Sequence, residues 1–146
     1  VWFPGQRDAA PDGERAELPV FSATRRWLDV YFSGRDPGVT PPLAMKGSPF
    51  QRAVWELLKR IPYGATTTYG ALAKEIARSR GLPRMSAQAV GGAVGSNPIA
   101  ILVPCHRVLG ASGRLTGYAG GMDKKVGLLE FEGFRTTGDA PDSKVL

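Results

Sequence analysis

The sequence predicts an α+β fold: a mainly helical C-terminal domain with a winged helix-turn-helix and short strands, preceded by a small α/β N-terminal lobe. Three observations carry this expectation. From Ser48 onward, apolar residues recur at helical spacing in successive segments separated by short turns. Two of those segments are joined by a basic turn, Arg78 to Arg84. The five-residue apolar run Ile99 to Val103 is bounded by polar and proline residues and has the length of a buried strand.

Taken in order, residues 1–19 are rich in charge, proline and glycine and show no sustained period, apart from Val1 to Phe3, which reads as the end of a strand. From Ser22 a helix is expected, with Ser22 as N-cap, Trp27, Leu28 and Tyr31 as an apolar stripe, and Gly34 at its end. Residues 35–47 hold three prolines and two glycines without periodicity and read as a linker, which places a boundary at Gly47. Residues 1–47 therefore form a lobe and linker, and residues 48–135 the main unit.

That unit starts with Ser48 as N-cap and Pro49 at the first helical position, followed by Phe50, Val54, Leu57, Leu58 and Ile61 at helical spacing. Pro62, Tyr63 and Gly64 stop this helix. Thr66, Thr67 and Thr68 offer caps for the next, from about Tyr69 to Ala77, with Leu72, Ala73 and Ile76 facing inward. After the basic turn comes a third helical segment, Ser86 to Gly95, made almost wholly of small residues and valine. Gly91 and Gly92 in its middle each cost about 1 kcal/mol relative to alanine. Either another backbone packs very close to this segment, or it lies against a nucleic-acid backbone in a narrow groove. Its poverty in arginine, asparagine and glutamine argues against base reading from the major groove. Beyond the apolar run, Leu109 to Leu115 reads as a tight connection and Gly117 to Gly121 as a bent loop. Asp123 to Phe131 reads as a closing helix ended by Gly133, with Val126, Leu129 and Phe131 on its apolar side. Residues 136–146 read as a disordered tail.

Composition narrows the function classes. A chain of 146 residues buries one core, or one core and a small lobe. A single cysteine excludes an intramolecular disulfide, and with a single histidine it cannot make a Cys/His zinc site. No apolar run approaches the roughly 18 residues of a membrane span, and the first residues lack the pattern of a signal peptide, so a cytoplasmic or nucleoid-associated protein is expected. Residues 1–47 carry six basic and six acidic side chains, whereas residues 48–120 carry nine basic against only Glu56 and Glu75. A basic block between near-neutral flanks points to a polyanion, nucleic acid before membrane.

The chemistry-bearing stretch is Asn97 to Val108, which places Cys105 and His106 side by side. A free thiol has a pKa of about 8.5, so a nucleophilic Cys105 needs a base or a positive neighbour. In a regular strand Cys105 would share a side with Arg107 and His106 would turn away. A bend at Pro104 is needed to bring His106 round, and a carboxylate to orient it; Asp123, Glu130 and Glu132 all lie on or near the closing helix.

The motifs VPCHRV at Val103 to Val108, preceded by Asn97-Pro98, then GYAGG and LLEFEG, resemble the O6-alkylguanine-DNA alkyltransferases, the methylated-DNA protein-cysteine methyltransferases. PFQRAVW, IPYG and TTTYGALA appear in the order expected for that family, so the resemblance covers about Ser48 to Gly133. It implies irreversible transfer of an alkyl group from O6 of guanine, and by extension from O4 of thymine, to Cys105, after the damaged base is flipped out of the duplex. It also implies His106 acting through a water as base, Glu132 orienting His106, Tyr69 crowding the target phosphate and protonating the departing guanine, and Asn97 bracing the active-site turn. The carbonyls of Val103 and Cys105 would accept from the guanine amino group, and Tyr118 with Ala119 would wall the pocket. Thr68, Tyr69, Arg84, Ala87, Gln88, Ala89, Gly91, Gly92 and Arg107 would face DNA, the small-residue helix in the minor groove. The partner is double-stranded DNA containing O6-alkylguanine, the protein a monomer, and no cofactor or metal is required. Three departures stand out: Gln88 occupies the place where many members have an arginine that fills the hole left by the flipped base, the N-terminal lobe resembles a truncated copy, and the zinc site of some relatives' N-terminal lobe cannot form with these residues.

Three other readings compete. A catalytically silent sensor on the same scaffold is opposed by the presence of Cys105. A winged-helix regulator is opposed by the glycine-rich third helix, and a cysteine hydrolase by the lack of an oxyanion arrangement.

Overall fold

The computed structural model describes Phe3 and residues 13–135, and over that range it is helical with one short sheet. The expected tail, residues 136–146, and the strand end at Val1 and Trp2 lie outside the described residues; Phe3 is not in a strand. No described helix is long and apolar enough to cross a membrane.

The first helix, α1, spans Pro19–Phe32 and so begins before Ser22. The proline ring pre-sets the helical φ at the first position, which Ser22, inside the first turn, does not need to do. Gly34 ends it at φ +80, a conformation that costs other residues strain. Trp27 and Tyr31 are its buried residues, and they pack with Ile101, Leu102 and Leu128 from the far end of the chain.

Three helices build the main core. The second, α2 (Pro49–Leu58), starts with a complete capping box, the Ser48 hydroxyl accepting from the Gln51 N–H and the Gln51 side chain accepting from the Ser48 N–H. The third, α3 (Tyr69–Ser79), is capped by the Thr68 hydroxyl, and α4 (Ala87–Gly95) by that of Ser86. Val54, Leu58, Leu72, Ile76, Val90 and Val94 meet in the centre. Trp55 lies in the same core and donates its indole N–H to the Ala93 carbonyl at 2.8 Å, tying α2 to the last turn of α4.

The small residues of α4 are not explained by close packing within the chain. A side chain added at Gly91 would make only ordinary contact with the Tyr69 ring, and one added at Gly92 or Gly95 would meet open space. Ala87, Gln88, Ala89 and Gly92 are exposed.

The sheet is a parallel pair, β1 (Thr67–Thr68) with β2 (Val108–Leu109), in register Thr67 to Val108 and Thr68 to Leu109. It joins the start of α3 to the segment that follows Cys105, His106 and Arg107. The fifth helix, α5 (Met122–Phe131), packs on that segment. Its buried face is Lys125, Leu128 and Leu129, whereas Val126 is half-buried and Phe131 exposed, so the face is rotated from the expected one. Gly133, at φ +89, follows its end.

Candidate active site

The apolar run Ile99 to Val103 is not a strand. It is a closed turn, in which the Val103 N–H donates to the Ile99 carbonyl at 3.0 Å and Ile101 takes a left-handed φ of +70. That conformation is costly for a β-branched residue. The Asn97 side chain closes the turn from inside: its Oδ1 accepts from the Ile99 N–H, and its Nδ2 donates to the Val103 carbonyl at 2.7 Å and to Cys105 Sγ at 3.1 Å. Continuous hydrophobicity here reports burial on all sides, which a turn packed between two clusters achieves as well as a strand.

Pro104 then bends the chain into a 3-10 turn, Cys105–Arg107, all three residues buried. The side chains fan out instead of alternating. Cys105 faces a cleft of about 720 Å³ bounded by Tyr69, Asn97, Ala100, Tyr118, Ala119 and the glycine face of α4. His106 and Arg107 both point to Glu132, so the expected pairing of Cys105 with Arg107 does not occur. Arg107, expected on the DNA-facing surface, is turned inward. Its guanidinium donates to both oxygens of Glu132, at 2.8 and 2.9 Å, and to the Ile61 carbonyl at 2.7 Å, while lying over the Tyr63 ring.

Of the three carboxylates considered for His106, the structure selects Glu132, which caps the end of α5 with its side chain 1% exposed. Its Oε1 lies 2.7 Å from His106 Nε2. Burial pushes the Glu132 carboxyl upward, but the hydrogen bonds from His106 and Arg107 outweigh it and hold the group down at about 2. Glu132 is therefore anionic, which assigns the His106 proton to Nε2 and leaves the lone pair on Nδ1, an atom without a hydrogen-bond partner among the described residues. Burial lowers the His106 pKa more than Glu132 raises it, so the ring is neutral at pH 7 and able to take a proton.

The Cys105 thiol is pushed up by burial, opposed by the Asn97 amide and the Lys125 charge. Tyr118, its hydroxyl buried against the sulfur, is also pushed up, by burial first and by Cys105 second. Tyr69 lines the cleft with its hydroxyl hydrogen-bonded to Thr116, and burial pushes that hydroxyl up.

Two residues that the sequence did not mark as part of the site complete it. Tyr31 of α1 donates its hydroxyl to Glu132 Oε1 at 2.7 Å. Lys125 is fully buried, and its three N–H donors meet the carbonyls of Val108, Thr116 and Gly117 at 2.6, 2.7 and 3.1 Å, pinning the loop that carries Tyr118 to β2. Burial lowers its pKa to about 8, and the three carbonyls match the ammonium form. A signal existed: Lys125 falls at i, i+3, i+4 with Leu128 and Leu129, a lysine on an apolar stripe. Lys125→Met keeps the apolar stem but strands three carbonyls, and is expected to cost about 2 kcal/mol in urea unfolding and to slow any reaction at Cys105. Unchanged unfolding would show that the three bonds contribute nothing net.

Several of the other expected residues come together on one groove. Thr68, Tyr69, Gly70, Ala87, Gln88 and Gly91 line one groove beside the cleft, and Arg84 stands exposed in the turn before α4. The Val103 carbonyl, in contrast, already accepts from Asn97 and from the Cys105 N–H, whereas among the described residues the Cys105 carbonyl accepts from the Val108 N–H.

Residues 49–134 match the family model described as 6-O-methylguanine DNA methyltransferase, DNA binding domain. The chain is 50% identical over 123 residues to the methylated-DNA–protein-cysteine methyltransferase of Methanosarcina acetivorans, covering 84% of this chain and 76% of that protein. It is 49% identical over 120 residues to the protein of the same name from Mycobacterium tuberculosis, covering 82% and 70%. Among solved structures it resembles Mycobacterium tuberculosis OGT in complex with DNA, with a TM-score of 0.69 and 48% identity over 77% of this chain and 66% of that one. It also resembles the O6-methylguanine-DNA methyltransferase of Pyrococcus kodakaraensis, with a TM-score of 0.56 and 34% identity over 75% and 62%.

Proposed function

This chain belongs to the methylated-DNA–protein-cysteine methyltransferase family, and on that premise we propose that it repairs duplex DNA by moving the alkyl group of O6-alkylguanine onto its own Cys105. The carrying observation is a cleft with a single thiol at its floor, beside a histidine oriented by an ionised carboxylate, opening next to a helix whose exposed side chains are nearly all alanine and glycine.

The reaction follows from these groups. His106 Nδ1 takes the thiol proton through a water, and Cys105 Sγ attacks the alkyl carbon in line with the C–O6 bond. The S–C bond forms as the C–O6 bond breaks, and its electron pair passes to guanine, which takes a proton from the Tyr69 hydroxyl. Asn97 steadies the sulfur by its amide N–H and fixes the turn. The cysteine is consumed, so each molecule acts once. Of the two carbonyls expected to receive the guanine amino group, that of Cys105 has the vacant acceptor capacity, and Val103 serves Asn97. Tyr118 and Ala119 wall the base, and small Ala100 and Ala119 leave room for alkyl groups beyond methyl. Transfer from O4 of alkylated thymine uses the same geometry.

We infer that α3, the turn after it, α4 and the β1–β2 pair act as a winged helix-turn-helix with α4 in the minor groove. Exposed Ala87, Ala89 and Gly92 permit close approach of a sugar-phosphate backbone, which supports binding with little sequence readout. Residues 1–47 then serve as a partial lobe and linker to the unit at residues 48–135. Base flipping costs a few kcal/mol and needs a group to fill the vacated stack. Gln88, exposed at the start of α4, fills it sterically, and Arg84 supplies phosphate attraction. Gln88→Ala is expected to weaken duplex affinity and slow repair by roughly threefold to tenfold. Arg84→Ala is expected to weaken binding across all sequences and to reduce the salt slope by about 1. Unchanged affinity and rate in Gln88→Ala would exclude it as the filler.

The test of the reaction is the intact mass of the protein after incubation with an O6-methylguanine duplex. A gain of one methyl group, located on Cys105 by peptide mapping, is expected; tight binding with no mass change would instead identify a sensor.

A further inference from the structure

Tyr31 contributes more to this site than its place in an apolar stripe requires. It is 0% exposed, stacked on Trp27 at 5.7 Å and set edge-on to Tyr63 at 5.8 Å, contacts that a phenylalanine would make equally well. The hydroxyl is the part that packing does not explain. It reaches Glu132 Oε1 at 2.7 Å, the same oxygen and the same distance as His106 Nε2, and Arg107 Nη2 adds a third donor at 2.9 Å. The other oxygen, Oε2, accepts from Arg107 Nε and from the Gly64 N–H. Five donors on one carboxylate exceed its roughly four lone-pair positions, so the donors on Oε1 compete.

We propose that Tyr31 is a positioning residue of the transfer reaction: from α1 it donates to the Glu132 oxygen that holds His106, and thereby limits how strongly the carboxylate draws the imidazole proton. This rests on the reading of His106 as the base for Cys105. A carboxylate that binds the imidazole too strongly stabilises the imidazolium, and a histidine that is already protonated cannot take the thiol proton. Tyr31 spreads the Glu132 charge and so adds to the burial that already favours neutral His106. The groups around Glu132 are Tyr31 on α1, Tyr63 after α2, and His106 and Arg107 on the 3-10 turn; Lys125 on α5 acts on His106, and Asp36 on Tyr63. Of these, Tyr31 is the neutral hydroxyl hydrogen-bonded to the carboxylate, so its removal changes the hydrogen bonding without changing the formal charge.

The test uses Tyr31→Phe, which keeps the ring. Because the chain has one histidine, its imidazole titration is read by NMR without ambiguity. The expected result is a His106 pKa raised by about half a unit to one unit, which amounts to a threefold to tenfold change in the neutral fraction on the acid side. Single-turnover transfer to an O6-methylguanine duplex should show its acid limb displaced upward by the same amount and should converge with wild type at high pH, while duplex affinity stays unchanged. In a His106→Gln background Tyr31→Phe should have no further effect. Trp27→Phe, which disturbs the same cluster but not the hydroxyl, should lower stability and leave the titration in place. An unmoved titration, or a uniform loss of rate at every pH that follows the melting temperature, overturns the proposal and makes Tyr31 a packing residue. A wild type that transfers no methyl group refutes the repair reading itself, which the NMR result does not depend on.

Discussion

Cys105→Ala is expected to abolish alkyl transfer while leaving the protein folded and able to bind an O6-methylguanine duplex. The chain has no second thiol to take over. Stability changes little, because Asn97 keeps its bonds to the Val103 carbonyl and the Ile99 N–H when the sulfur is removed. Affinity stays within about threefold of wild type, since phosphate contacts dominate binding and the exposed face of α4 is untouched. In the wild type the transfer rate is expected to fall as pH drops through the lowered titration range of His106, because the imidazolium cannot take the thiol proton. Intact-protein mass and a gel shift on the same samples decide the matter; a methyl group appearing on Cys105→Ala would move the acceptor elsewhere.

Glu132→Gln is expected to produce the largest loss of stability, about 3 to 5 kcal/mol in urea unfolding at pH 7, together with loss of transfer. The amide leaves the Arg107 guanidinium without a counter-charge in the interior, and turns one oxygen acceptor into an N–H donor facing other donors. The acid behaviour of the wild type gives an independent check. The folded-state pKa of Glu132, at about 2, lies below the unfolded value of about 4.3, so its contribution is complete above the latter and is lost as pH falls from about 4 towards 2. That loss amounts to about 3 kcal/mol, and Glu132→Gln should lack this limb. Equal unfolding midpoints at pH 7 would remove Glu132 from its structural role.

What could be read from the chain, and what could not, divides by range. Ser48 before α2, a threonine before α3 and Gly34 after α1 are local signals that the structure uses where the spacing says, whereas Ser86, read as the first residue of the third helix, is its cap, and Ser22, read as a cap, lies inside α1. The Ile99 to Val103 run was legible as buried but not as a turn, because the group that closes it, the Asn97 carboxamide, acts through side-chain hydrogen bonds that no periodicity records. The inward aim of Arg107 was hidden for a related reason. A basic residue in a basic segment reads as surface until its carboxylate, 25 residues later, is placed beside it. Tyr31 gave no polar signal at all, since an aromatic on an apolar stripe carries a hydroxyl whose partner lies at the other end of the chain.

The ties that close on Glu132 also set an order of events in folding. Tyr31 reaches it across 101 residues and Gly64 across 68, whereas the helices α2, α3 and α4 are neighbours in sequence and pack on one another over much shorter loops. Ring closure over such distances is entropically late, so the helical core can assemble while Glu132 is still unplaced. Until it is placed, His106 lacks the carboxylate that fixes its tautomer. Transfer to Cys105 is thus expected to return last on refolding, after the helical core has formed, which a refolding time course of helix signal against alkyl transfer would check.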